Sequence, residues 1–184
     1  MQQKRISKAE WLEKALEVLE AEGVNAVKID RLAKLLGISR SGFYWHFKGR
    51  PDLLSEMLQY WKREYSEAVF AGSSHLADIP ASERMLQIMR MIEEYHFDRF
   101  EVPMRAWADH DPEAAKAVKE VYAMRFQYFK SLFADMGFTG ADLEMRVRLW
   151  LCYASNAKAM FGKASLKKTN EMLTLCHKVL TCQD

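Results

Sequence analysis

Apolar residues recur at helical spacing along almost the whole chain, and no alternating strand pattern stands out. Ser7-Lys8-Ala9-Glu10 has the form of a capping box, and Trp11, Leu12, Ala15, Leu16 and Leu19 behind it line one face of a first helix. Gly23 supplies its left-handed stop. Ile29, Leu32, Ala33 and Leu36 predict a second, short helix that ends at Gly37. Ser39 is positioned to cap a third through about Phe47, and Pro51 sits near the start of a fourth that carries Leu54, Met57, Leu58, Trp61 and Tyr65. After Ala71-Gly72-Ser73-Ser74-His75, read as a linker, the pattern predicts helices near 81–96, 103–109, 112–136, 140–161 and 165–181. Ala115, Val118, Tyr122, Phe126, Phe129 and Phe133 stripe the longest of these. The expected fold is all-α: an N-terminal three-helix unit over residues 1–70 with its connecting helix, and a larger helical domain over 71–184.

Charge sharpens this division. The 184 residues carry a formal net charge of +2. Residues 1–63 hold 12 Lys/Arg against 8 Asp/Glu, and the span 25–50 holds six basic residues and one acidic one. A basic patch confined to one short segment suits a polyanion surface, although a solvated basic face has the same composition. No apolar run is long enough to cross a bilayer, and the N-terminus lacks the apolar core of a signal peptide. Three scattered cysteines, Cys152, Cys176 and Cys182, read as reduced thiols, and the cytoplasm is the expected compartment.

Two short helices joined across Leu36-Gly37-Ile38-Ser39 have the layout of a helix-turn-helix, with Gly37 permitting the tight reversal. In that arrangement the second helix enters the major groove. Arg40 is placed to reach a guanine edge, while Tyr44, His46 and Lys48 suit phosphate oxygens. The run Gly37-Ile38-Ser39-Arg40-Ser41-Gly42-Phe43-Tyr44-Trp45-His46-Phe47, continued by Lys48-Gly49-Arg50-Pro51-Asp52-Leu53-Leu54, closely resembles the TetR family of bacterial transcriptional regulators. The resemblance is strong over residues 7–58; beyond them it rests on the helical layout and length. It implies a homodimeric repressor released from a double-stranded DNA operator by a small effector. It makes Arg40, Ser41 and Trp45 base-reading or groove-lining positions and Tyr44, His46 and Lys48 phosphate contacts. With Lys28, Ser39 and Gly42 these complete the candidate DNA-binding set. Two departures stand out: Lys28 replaces a capping Thr, and Gly42 replaces a common Thr or Ser.

For the larger domain the resemblance implies an effector cavity between helices. Candidate lining residues are Met89, Phe97, Phe100, Met104, Trp107, Tyr122, Phe126, Trp150 and Tyr153, with Arg105, Arg125 and Asn156 as polar handles. This set predicts an apolar or aromatic effector. The last two helices are apolar over a wide arc, so each needs a second surface to bury. The resemblance makes that surface a two-fold interface, with Leu143, Val147, Leu151, Ala154, Leu173 and Leu180 as candidates. No metal, cofactor, membrane partner or catalytic constellation is expected. The His96/Asp98 and His110/Asp109/Asp111 neighbours read better as solvated loop residues than as metal ligands. An all-helical enzyme or carrier, and a regulator with no effector, are the rival readings.

Overall fold

The structure is a computed structural model that describes residues 6–73, 76 and 78–182. Among the described residues the regular elements are all helical. They are α1 (Lys8–Glu22), α2 (Ile29–Leu36), α3 (Arg50–Lys62), α4 (Ala68–Gly72), α5 (Ala81–Glu94), α6 (Glu101–Ala108), α7 (Pro112–Asp135), α8 (Gly140–Phe161) and α9 (Leu166–Thr181). Two 3₁₀ stretches, Val24–Ala26 and Arg40–Trp45, and a π turn, Arg63–Glu67, complete the order. The expected linker coincides in part with the end of α4; Ser74 and His75 lie outside the described residues.

The chain divides into two compact units. One comprises Met1–Arg63 and Pro103–Val118, the other Glu64–Val102 and Lys119–Asp184. The sequence reading put one boundary at 70/71; here the break falls at 63/64, and residues 103–118 return to the N-terminal unit.

The first unit starts where the sequence says it should. The Ser7 side chain accepts from the Glu10 N–H, and the Glu10 carboxylate accepts from the Ser7 N–H at 2.7 Å. Trp11, Leu12, Ala15, Leu16 and Leu19 are all buried on α1, with Leu32, Ala33, Phe43, Phe47, Leu53, Met57 and Trp61 in the same core. Trp11 meets Phe43 edge-on at 5.4 Å, and Phe43 stacks on Phe47 at 5.0 Å. Gly23 does end α1 at positive φ, but with an extended ψ of 171° instead of the left-handed helical value. At Gly37 (φ 69°, ψ 29°) the left-handed cap is present, and Ile38 N–H closes back onto Ala33 O. Arg50 ties the α1–α2 connection down, donating to Val27 O (2.7 Å) and Val24 O (2.8 Å).

In the second unit, Met85, Ile88 and Met89 of α5 pack with Phe129, Leu132 and Phe133 of α7. Leu143, Val147 and Trp150 of α8 and Leu173 and Leu180 of α9 complete that core. The stripe expected on the long helix holds at Phe129 and Phe133. In its first half the buried positions are Ala114, Ala117 and Val121, while Ala115 is exposed. Asp111 starts α7: its Oδ1 accepts from Glu113 N–H (2.9 Å) and Ala114 N–H (3.1 Å), with Pro112 at the first helical position.

Candidate nucleic-acid interface and effector cavity

The segment after Gly37 is a 3₁₀ helix, not the α-helix that the sequence predicts through Phe47. Two local features account for the tighter winding. Ser39 makes no capping bond; its hydroxyl lies 2.7 Å from that of Ser41. Gly42 sits mid-element, where it weakens α-helix propagation. A Cβ at Gly42 would stand 3.2 Å from Ile38 Cδ1, so a Thr or Ser there would have to push the Ile38 tip aside. Lys28 occupies the N-cap of α2 without a side-chain cap, as its chemistry dictates.

Arg40, Ser41, Tyr44, Trp45 and Lys48 are exposed together with Lys28 and Ser39, and Trp45 is 86% exposed. An indole this bare is uncommon in a folded unit. Arg40 is held in place before any partner arrives: Nη2 donates to the Tyr44 hydroxyl at 3.0 Å, and Nη1 lies 3.4 Å from Asp30. The Tyr44 hydroxyl first, and then the Asp30 carboxylate, raise the Arg40 pKa above its ordinary value. His46 is placed differently. It is only partly exposed and its Nε2 donates to Ile6 O at 2.9 Å, so this ring nitrogen secures the chain entering α1. Lys48 leaves its side chain in solvent while its backbone N–H donates to Asp52 at 2.8 Å. The face therefore offers a preset guanidinium, a phenol, an indole and two lysines.

The second unit contains a cavity of about 420 Å³, counting the open space at its mouth. Its apolar wall is Val69, Phe70, Ile92, Phe97, Phe129, Trp150, Leu151 and Ala154; its polar wall is Tyr65, Ser66, Asp98, Glu101, Arg125 and Ser155. Phe97 and Trp150 are the two candidate lining residues that reach it. Met89 lies wholly in the core, and Phe100 is buried against Tyr65 at 4.8 Å. Tyr122 serves the cavity at one remove by donating to Glu101 at 2.8 Å. Phe126 lies beneath the Arg148 guanidinium, and Tyr153 packs beside Trp150. Met104 and Trp107 belong to the other compact unit, since the division between the units falls within α6, at Val102/Pro103. Of the polar handles, Arg125 lines the cavity; Asn156 spends its amide on Cys152 O of its own helix, and Arg105 falls in the first unit.

Arg125 is the hub of the polar wall. Nη1 donates to Glu101 Oε1 at 2.7 Å, and Nη2 donates to Ser66 Oγ at 2.7 Å and Tyr65 O at 3.3 Å. The latter two sit in the π turn Arg63–Glu67, a wound-out geometry found often at functional sites. Nearby, Lys158 Nζ donates to Asp98 at 2.9 Å and lies 3.1 Å from Glu93. Burial pulls the Lys158 pKa down, but Asp98 and Glu93 outweigh it and the net shift is upward. Burial also raises the Cys176 thiol, and raises Tyr153 together with the charges of Cys176 and Glu93. Sequence reasoning missed Tyr65, Ser66, Val69 and Phe70, which lie on the connecting segment, and the acids Asp98 and Glu101. Nothing in the local pattern marks a buried carboxylate.

The candidate interface residues divide sharply. Leu143, Val147, Leu173 and Leu180 are buried in the second unit's own core, and Leu151 and Ala154 face the cavity. The first four are consumed within one chain, while Leu151 and Ala154 are half-buried. The outward faces of α8 and α9 instead carry Met145, Leu149, Cys152 and Met160, and Leu175 and Val179 (72% exposed). Among the described residues no cluster of three or more His, Cys, Asp or Glu could hold a metal ion. No helix among them is long and apolar enough to cross a membrane.

These features define a helical two-unit architecture with a helix-turn-helix at one end. Residues 12–57 match the family model for bacterial regulatory proteins, tetR family. Over 47 residues the chain is 38% identical to the HTH-type transcriptional regulator SrpR of Pseudomonas putida, and over 46 residues 39% identical to AcrR of Shigella flexneri. Those matches take in 26% and 25% of this chain but only 22% and 21% of the relatives, about a fifth of their length. Over this segment the chain is similar to the TetR family. The fold agrees over nearly the full length. A TetR transcriptional regulator from Legionella pneumophila superposes with a TM-score of 0.74 at 12% identity, covering 92% of this chain and 96% of that one. A transcriptional regulator from Saccharomonospora viridis, solved in complex with choline, gives 0.69 at 17% identity, with 91% and 93% covered.

Proposed function

We propose that this chain is a DNA-binding transcriptional repressor, active as a homodimer in the cytoplasm and released from its operator by a small effector. The observation that carries the DNA-binding half is the exposed, preset Arg40–Tyr44 pair on an element that follows a helix-turn-helix reversal. Arg40 reads a base edge, bidentate to guanine, while Tyr44 and Lys48 hold phosphates and Trp45 lies along the groove wall. His46 contributes chiefly by fixing the segment that enters α1. Lys28, Ser39, Ser41 and Gly42 line the same face, with Gly42 giving close backbone approach in place of a hydroxyl contact.

The effector occupies the cavity of the second unit. Its aromatic and aliphatic wall supports a ligand with an apolar or aromatic body. The choline bound by the Saccharomonospora viridis neighbour is consistent with a small ligand in this fold. The functional division keeps DNA reading in the first unit, within Met1–Arg63, and effector binding with dimerisation in the second, Glu64–Val102 with Lys119–Asp184. The dimer forms through the outward apolar faces of α8 and α9, centred on Leu149 and Val179, because one helix-turn-helix offers too few contacts for a specific site.

A mobility-shift titration on DNA flanking the gene tests this reading. A sequence-specific complex that dissociates when an effector is added supports it. Binding no tighter than to random DNA at the same salt overturns it.

A further inference from the structure

We infer that Asp30 is a specificity-determining residue: it holds the Arg40 guanidinium in its base-reading orientation and weakens binding to DNA of any other sequence. The inference rests on the proposal that Arg40 reads a base edge, and it names the side chain that aims it.

Among residues 25–50 Asp30 is the one acidic side chain, set against Lys28, Arg31, Lys34, Arg40, Lys48 and Arg50. A carboxylate on a face that meets phosphates repels them, so affinity alone favours a neutral or basic residue at this position. Its neighbour on α2, Arg31, is committed elsewhere, with Nη1 donating to Glu22 at 2.6 Å. Asp30 stands instead 3.4 Å from Arg40 Nη1.

Both side chains are exposed, and pairs of this kind add little to stability. The consequence of the contact is orientation. The Arg40 side chain is long, and its planar fork has to meet a guanine edge squarely. The Tyr44 hydroxyl takes Nη2 at 3.0 Å, and the guanidinium carbon lies 5.8 Å from the Tyr44 ring centre. A single partner leaves the plane free to turn about that contact. Asp30 adds a second hold from a different element, on the other terminal nitrogen. Each terminal nitrogen has a second hydrogen and Nε has one more, so the held fork can still donate to guanine O6 and N7. When DNA covers the face and displaces water, the attraction between Asp30 and Arg40 strengthens. A base pair that drives Arg40 out of this pose leaves the Asp30 carboxylate facing phosphates with its partner gone. One residue thus favours the reading pose and opposes the alternatives.

The test uses the full-length protein and three DNAs: a consensus duplex selected from a random pool, the same duplex with the base pair whose preference Arg40→Ala relaxes replaced, and random DNA. Each is titrated by fluorescence anisotropy at one salt concentration. The Asp30 side chain is 77% exposed, so Asp30→Asn and Asp30→Glu should keep the parent's melting temperature, checked by circular dichroism. Asp30→Asn should lower the preference for that base pair by about two- to fivefold, the range of an exposed ion pair, and should bind random DNA more tightly. Asp30→Glu, which keeps the charge, should retain most of the preference. In an Arg40→Ala background Asp30→Asn should leave the base preference unchanged. If Asp30→Asn tightens binding to all three DNAs by the same factor, Asp30 is only a charge at the start of α2; the inference is overturned and Arg40 remains the reader. An equal loss of preference in Asp30→Glu would overturn it too. A parent protein with no base preference that Arg40→Ala relaxes would overturn the proposed DNA reading, and this inference with it.

Discussion

The two candidate sites of this molecule are built in opposite ways. The element proposed to read DNA draws nearly all its residues from one stretch, 39–48, and leaves most of them in solvent. The cavity collects its wall from the π turn and α4, from α5, from the segment around Phe97–Glu101, from α7 and from α8, and hides it. A local, exposed site is written in consecutive residues and answers to a motif. A buried site made of separate helices depends on which face of each helix turns inward, and local pattern only narrows that choice. The same contrast appears in energy. Arg40 touches Tyr44 and Asp30 at the surface, where loss of contact is cheap; Arg125 and Glu101 face each other in the interior, where loss is expensive.

That contrast gives its largest effect at Glu101. Glu101→Ala leaves the Arg125 guanidinium buried without its carboxylate, and should cost about 3–5 kcal/mol of stability. Urea unfolding would check it; a loss below about 1 kcal/mol, the range of surface pairs, would put this pair on the surface side of the comparison.

Next comes the outer face of α8 and α9. Leu149→Glu with Val179→Glu should yield a folded monomer that loses specific operator binding, measured by sedimentation at micromolar protein. Leu173→Glu, in the core, should instead unfold the second unit. A double variant that stays dimeric would remove this face from the account.

Arg40→Ala should weaken specific DNA binding by about 1–3 kcal/mol and leave the melting temperature almost unchanged. Lys48→Ala should weaken binding on all sequences and reduce the salt slope by about one phosphate. If Arg40→Ala lowered stability as Glu101→Ala does, the division between exposed and interior sites would fail.

The smallest effect belongs to the cap of α7. Asp111→Ala should cost about 1 kcal/mol. Its pKa is lowered, chiefly by the Ala114 N–H, with Trp107 and Glu113 adding to the shift against the effect of burial. The sign follows: a depressed carboxylate stabilises above its unfolded pKa, and that stability is lost as pH falls through the lower folded value. Asp111→Asn should keep most of the cap and flatten the acid limb of the stability curve.

The legible parts of the sequence share a physical cause. Ser7 and Glu10, the apolar face of α1, the Gly37 reversal and the helix spans from α5 to α9 all follow from interactions within a few residues of one another. The TetR-like string around Tyr44 is legible for the same reason. What failed depended on tertiary partners. Leu173 and Leu180 carry the same apolar signal whether they face their own core or a second chain, and the fold turns them inward. Met89 and Phe100 are as suited to a cavity as Phe97, yet only Phe97 reaches one. Asp98 and His96 read as neighbours; in the structure Asp98 looks to Lys158, 60 residues away in sequence. Arg40–Trp45 winds as a 3₁₀ helix because Gly42 and the Ser39–Ser41 contact weaken the α-helix that the pattern predicts.

The central claim is that the Arg40 face reads DNA sequence. Selection of bound duplexes from a random pool, followed by fluorescence anisotropy at fixed salt, tests it most directly. The account predicts a two-fold symmetric consensus bound about a thousandfold or more tightly than random DNA, with the preference at one base pair per half-site relaxed by Arg40→Ala. Binding that shows no consensus, or a consensus that survives Arg40→Ala unchanged, would contradict it.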